Sequence, residues 1–108
     1  MILFSNGADN CLRIISYTFL NAGDEVVVAH PAFPVYGIIS RVMGAVPVEV
    51  PLKDHTHDLE AMGERIGERT KLVFVCNPNN PTGTIVSRKR LKAFVDKLPE
   101  HLVLILDE

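Results

Sequence analysis

Leu72-Val73-Phe74-Val75-Cys76-Asn77-Pro78-Asn79-Asn80-Pro81-Thr82-Gly83 is the stretch that decides the fold. Its first half is an unbroken apolar run, β-branched and aromatic in character and strand-like in length, which reads as a strand buried on both faces. Its second half turns abruptly to residues that end regular structure. Pro78 and Pro81 fix φ and remove donors, Gly83 permits a tight or left-handed turn, and the asparagines offer short amides to backbone or ligand. A buried strand running out into a rigid polar loop suits the ligand-bearing edge of a sheet. From these residues alone, an inert structural turn fits equally well.

Working outward, the apolar runs 26–29 and 102–106 are strand-like, a further strand is expected over 46–50 before Pro51, and the run 102–106, being continuous, predicts a strand covered on both faces. Helical spacing fills the gaps. Residues 9–20 place Leu12, Ile14, Ile15, Phe19 and Leu20 on one side, with Gly23 in the stop signal that follows. Residues 35–43 carry Val35, Ile38, Ile39 and Val42, and Gly44 ends them. Asp58 caps a helix whose Leu59, Met62 and Ile66 face the core; its glycines, Gly63 and Gly67, each weaken it by about 1 kcal/mol relative to alanine. Ser87 caps the next, with Leu91, Phe94, Val95 and Leu98 as its stripe and Pro99 as its end. Strands alternating with helices on crossover-length connections predict an α/β fold: three layers, with a mainly parallel sheet flanked by helices.

Composition narrows the function classes. The chain has 108 residues, 47% hydrophobic and 22% charged, which is one modest globular domain. Eleven basic against thirteen acidic residues, net −2, give no support for a nucleic-acid partner. Cys11 and Cys76 are too far apart to suggest a disulfide framework or a zinc site, and free thiols point to a reducing compartment. Residues 1–5 lack the basic flank of a signal peptide and the apolar runs are not membrane-length, so a soluble, cytoplasmic protein is expected. His55 and His57 read as a polar loop rather than a metal site, and Ser87-Arg88-Lys89-Arg90 as a solvated face. A glycine-rich nucleotide fingerprint and a Ser-His-Asp spacing are both missing. Asp107-Glu108 follows an apolar run with no turn or cap, so a cut through a larger domain is expected.

The loop 78–83, followed by a strand ending in Asp107-Glu108, resembles the class I and II pyridoxal-phosphate aminotransferases of fold type I. The resemblance extends to the histidinol-phosphate branch through Asn6-Gly7-Ala8-Asp9, Ala22-Gly23-Asp24, His30-Pro31-Ala32-Phe33 with Tyr36, Gly44-Ala45 and Val50-Pro51-Leu52. It covers essentially the whole chain and implies that residues 1–108 are a partial cofactor-binding large domain, truncated after the Asp-Glu of the cofactor-binding strand.

The resemblance also implies roles. The turn at Gly7, Ala8 and Asp9 presents backbone N–H groups to the cofactor phosphate, as an open helix N-terminus can; by its residues alone, Asp9 is a helix cap. The family usually has an acidic residue where this chain has Asn10. Phe33 stacks on the pyridine ring, where the branch commonly has tyrosine, and Tyr36 is a pocket or packing residue. Asn80 donates to the cofactor's 3′-oxygen, and Asp107 faces the ring nitrogen and keeps it protonated. His30 lines a pocket or is a plain loop histidine.

The Schiff-base lysine of the family comes later than the position of Glu108, so no catalytic residue is assigned and this stretch by itself is expected to be inactive. The parent is expected to be a homodimer that moves an amino group between histidinol phosphate and 2-oxoglutarate. Another aminotransferase of the class, a threonine-phosphate decarboxylase-like enzyme and a non-catalytic binding module remain as other readings.

Overall fold

The computed structural model describes residues 1–108 as four strands alternating with four helices. In chain order these are α1 (Gly7–Phe19), β1 (Glu25–His30), α2 (Val35–Val42), β2 (Val46–Pro51), α3 (Leu59–Glu64), β3 (Thr70–Cys76), α4 (Arg88–Val95) and β4 (Val103–Asp107). The strands make one sheet in the order β2-β1-β3-β4, and every neighbouring pair is parallel. This is the α/β architecture that the alternation predicts.

Side chains alternate across the sheet, so each central strand feeds two cores. Val26 and Val28 of β1 and Leu72, Phe74 and Cys76 of β3 face Leu12 and Leu20 from the α1 region and Tyr36 from α2. Val27 and Ala29, with Val73 and Val75, face Leu59 and Met62 of α3 and Phe94 of α4. Burial on both faces is why β1 and β3 read as continuous apolar runs. The chain steps from β1 outward to β2, then crosses back beyond β1 to β3. The direction of winding reverses there, which leaves a crevice between β1 and β3 at their carboxyl ends.

The amino edge is closed by a tight contact. The Gly23 N–H donates to the Gly44 carbonyl at 3.0 Å, and the Val46 N–H to the Asp24 carbonyl at 2.8 Å. Gly44 has φ +74°, and a Cβ there would lie 3.1 Å from the Ala22 Cβ, so this crossing requires glycine. Because α1 ends at this edge and its thirteen residues extend about 20 Å, its N-terminus lies toward the carboxyl edge.

Several local expectations change. Helix α1 starts at Gly7, so Asp9 sits in its first turn instead of capping it; Asn6 is the cap residue and makes no side-chain cap bond. The helix ends on extended Leu20, so Gly23 serves the turn into β1 and not the stop itself. Phe19 is exposed. Ile66 packs on the core from beyond the end of α3, where Gly67 carries no helical penalty. Helix α4 stops at Val95, which is exposed, while Leu98 packs from the following turn. Strand β4 packs on both cores, Val103 and Ile105 on one face and Leu104 on the other, but less completely than β1 and β3, with Leu106 40% exposed. The Asp58 and Ser87 caps are formed as expected, accepting from the N–H groups of Ala61 and Arg90. No helix is long and apolar enough to cross a membrane.

Leu72 is fully buried, so Leu72→Ala is expected to destabilise the chain by about 2–5 kcal/mol, whereas Leu106→Ala should change it by less than about 1 kcal/mol. Urea unfolding of both variants followed by far-UV circular dichroism checks the difference.

Candidate functional site

Because β1, β3 and β4 run in the same direction, the segments after His30, Cys76 and Asp107 leave one edge. Cys76 lies opposite Asp107 in the ladder, and the Asn77 N–H continues it by donating to the Asp107 carbonyl at 2.8 Å. The asparagine loop and the end of β4 are therefore held side by side.

Within the loop the asparagines divide the work. Asn77 Oδ1 accepts from the Val86 N–H at 2.9 Å and closes the base. Asn79 is buried; one of its amide hydrogens goes to the Pro31 carbonyl at 3.2 Å and the other to Thr82 Oγ1 at 2.8 Å. The Thr84 hydroxyl gives its proton to the His55 carbonyl at 2.6 Å, so the 2.9 Å contact between the two threonines has Thr82 as donor. This relay ties the loop to the segment after β1 and to the turn after β2. Asn79 Oδ1 is left without a partner, which reduces what the residue contributes. Asn80 is exposed, and its side chain makes no hydrogen bond to protein, so its amide is free for a ligand.

An aromatic group joins the β1 side to β4. Tyr36 is 1% exposed; its ring stacks on Phe74 at 4.6 Å and 13°, and meets Phe33 edge-on at 5.6 Å and 81°. Its hydroxyl donates to Asp107 Oδ2 at 2.5 Å, the short separation typical of a hydroxyl on a carboxylate. Burial, and then the bond to Asp107, push the Tyr36 phenol well above the usual tyrosine range, so it remains a donor. Phe33 is half-buried and lines a cavity of about 190 Å³ with Tyr36, His30, Arg41 and Glu49. A larger hollow of about 810 Å³ lies between α3 and α4 and touches none of the predicted site residues.

The predicted residues thus fall into two groups. Phe33, Tyr36, Asn80 and Asp107 share the edge, linked through the Tyr36–Asp107 bond and the asparagine loop. The turn at Gly7, Ala8 and Asp9 makes no bond to them; its Gly7 N–H donates to the Ser5 carbonyl. By helix geometry the N–H groups of Ala8 and Asp9 have no intrahelical acceptor, no side chain caps them, and Gly7, at φ +80°, has open space where a Cβ would stand.

Sequence reasoning missed two contributors. Asn79 was indistinguishable from its neighbours in the loop, since only the position of Pro31 gives it a role. His57 is buried and its Nε2 accepts from the Cys76 N–H at 3.4 Å, beneath the same edge. The pattern of His57 beside Asp58 carried no sign of that.

The whole chain, residues 1–108, matches the model of the aminotransferase class I and II family. The chain belongs to that family. It is 43% identical over 107 residues, 99% of its length, to a histidinol-phosphate aminotransferase of Caldicellulosiruptor saccharolyticus, and 50% identical over 98 residues, 91% of its length, to an aromatic amino acid aminotransferase of Mycobacterium sp. (strain KMS). Among solved structures, the histidinol-phosphate aminotransferase of Sinorhizobium meliloti, crystallised in complex with pyridoxal-5′-phosphate, superposes with a TM-score of 0.92 at 33% identity over 96% of the chain. The chain spans 30%, 27% and 29% of these proteins' lengths.

Asn79→Ala is expected to destabilise the chain by about 1–3 kcal/mol, and Asn80→Ala by less than about 0.5 kcal/mol, as thermal unfolding of each would register. Burial pushes the His57 pKa down, so the unfolded chain binds the proton more tightly. Stability is therefore expected to be full above the unfolded value of about 6.5 and to fall as pH drops through it. His57→Gln should flatten that acid limb in urea titrations between neutral and mildly acidic pH.

Proposed function

We propose that residues 1–108 form the amino-terminal part of the cofactor-binding large domain of a pyridoxal-phosphate aminotransferase, with Ala8, Asp9, Phe33, Asn80 and Asp107 as the cofactor cradle. The observation that carries this reading is the sharing of one parallel-sheet edge by a free amide at Asn80 and a carboxylate at Asp107 that has one oxygen already bonded. The residues suit the group. Open N–H donors at a helix N-terminus match a phosphate, the Phe33 ring can cover one face of a pyridine, and Asp107 can accept from a ring N–H.

When bound, the cofactor supplies an electron sink for the pair left at the substrate α-carbon after its proton departs. In this reading Asp107 holds the ring proton, Asn80 donates to the ring's oxygen substituent, and Ala8 and Asp9 anchor the phosphate. Lys71 lies at the amino end of β3, the opposite edge, Lys89 and Lys92 belong to α4 on the far face and Lys97 to the turn after it, and Lys53 follows β2, the strand at the far side of the sheet from β4. In keeping with the resemblance, we assign the lysine that bonds the cofactor to residues outside 1–108.

For the whole protein we infer a homodimer that exchanges an amino group between histidinol phosphate and 2-oxoglutarate, supported by the resemblance to histidinol-phosphate aminotransferases in sequence and structure. The Mycobacterium match favours a second reading, an aromatic amino acid donor. Assays of a full-length protein carrying these residues should find a higher kcat/KM for histidinol phosphate than for phenylalanine or tyrosine, and the reverse order would select the second reading. In the chain itself, Asn80→Ala and Asp107→Asn are each expected to weaken pyridoxal-phosphate binding about tenfold or more, measured by equilibrium dialysis. Unchanged binding in both would remove the cradle.

A further inference from the structure

We propose that Tyr36 is a positioning residue that sets how Asp107 meets the cofactor, and that it also fixes the edge of the Phe33 ring, so that one buried phenol orients both the carboxylate and the aromatic face of the site. The inference rests on the cofactor reading above. Three observations carry it.

The Tyr36 hydroxyl occupies Asp107 Oδ2, while Oδ1 accepts from no protein donor. The carboxylate is thereby held with one oxygen committed and the other free for a ring N–H. A half-buried aspartate at the end of a strand would otherwise be free to rotate about its own torsions. Tyr36 itself has little freedom. Its ring is pressed on Phe74 of the doubly buried β3, and its carbonyl accepts from the Ser40 hydroxyl at 2.7 Å inside α2. The phenol therefore transfers the rigidity of β3 to the carboxylate at the end of β4. The edge-on contact with Phe33 extends the same constraint to the ring proposed to stack on the cofactor.

A hydrogen bond to Asp107 also withdraws electron density from the oxygen that it occupies, and so tunes how strongly the carboxylate holds a ring proton. A tyrosine that merely filled space would do neither of these things.

The test is Tyr36→Phe, which keeps the stacked ring and removes one oxygen. Binding of pyridoxal phosphate to the chain is compared with binding of its 1-deaza analogue, in which a C–H group replaces the ring nitrogen, by equilibrium dialysis of wild type, Tyr36→Phe and Asp107→Asn. The wild type is expected to prefer pyridoxal phosphate, Asp107→Asn to lose that preference, and Tyr36→Phe to reduce it about three- to tenfold with little change for the analogue. Equal weakening of both ligands, or no change in the ratio, overturns the positioning role and leaves the cradle intact, since Asp107→Asn still reports on the cradle. A wild type that binds neither ligand, or shows no preference between them, removes the cofactor reading and the inference together.

Discussion

Parallel pairing of β3 with β1 on one side and β4 on the other is the constraint on which the remaining features depend. It sends three segments out of one sheet edge, and it does so in a register that sets Cys76 against Asp107. A parallel ladder requires each strand to be reached by a crossover, so helices must cover both faces and the strands must be apolar on both. The same requirement leaves the edge itself polar, because the side chains there belong to loops that no helix covers.

Holding that edge rigid is a problem of satisfying polar groups. The loop after β3 carries several backbone N–H and carbonyl groups away from any ladder, and those that are buried need partners. Asn77 and Asn79 supply them, through the Val86 N–H, the Pro31 carbonyl and the threonine relay. Asn80, with neighbours already bonded to one another, is left facing outward. The loop is stiff because two asparagines are spent on structure, and it is available to a ligand because the third is not.

Most of the architecture was legible from the chain. The runs at 26–29 and 72–76 announced strands buried on both faces, and the caps at Asp58 and Ser87 were visible because a side chain three residues from its N–H partner acts locally. The failures were of another kind. The apolar run at 102–106 predicted cover on both faces, and Val103, Ile105 and Leu104 do pack on the two cores, but Leu106 is 40% exposed, because how far the helices reach along a strand is set by packing and not by the run itself. The ends of α3 and α4 were drawn too far because Ile66 and Leu98 do pack on the core, but from turns.

The candidate site was legible as a set of loops and not as a geometry. The resemblance to the aminotransferases marked Phe33, Asn80 and Asp107, whereas by residue type alone each also fits a packing, turn or capping role. Tyr36 could be seen as an aromatic one turn beyond Phe33, yet its decisive partner lies 71 positions away. Local sequence determined which segments are strands, which are helices and which chemical groups the loops carry, since propensity, periodicity and capping act over a few residues. Only the tertiary structure decided which of those groups meet, because strand order, register and the approach of α2 to β4 arise from packing between elements that the chain itself keeps far apart.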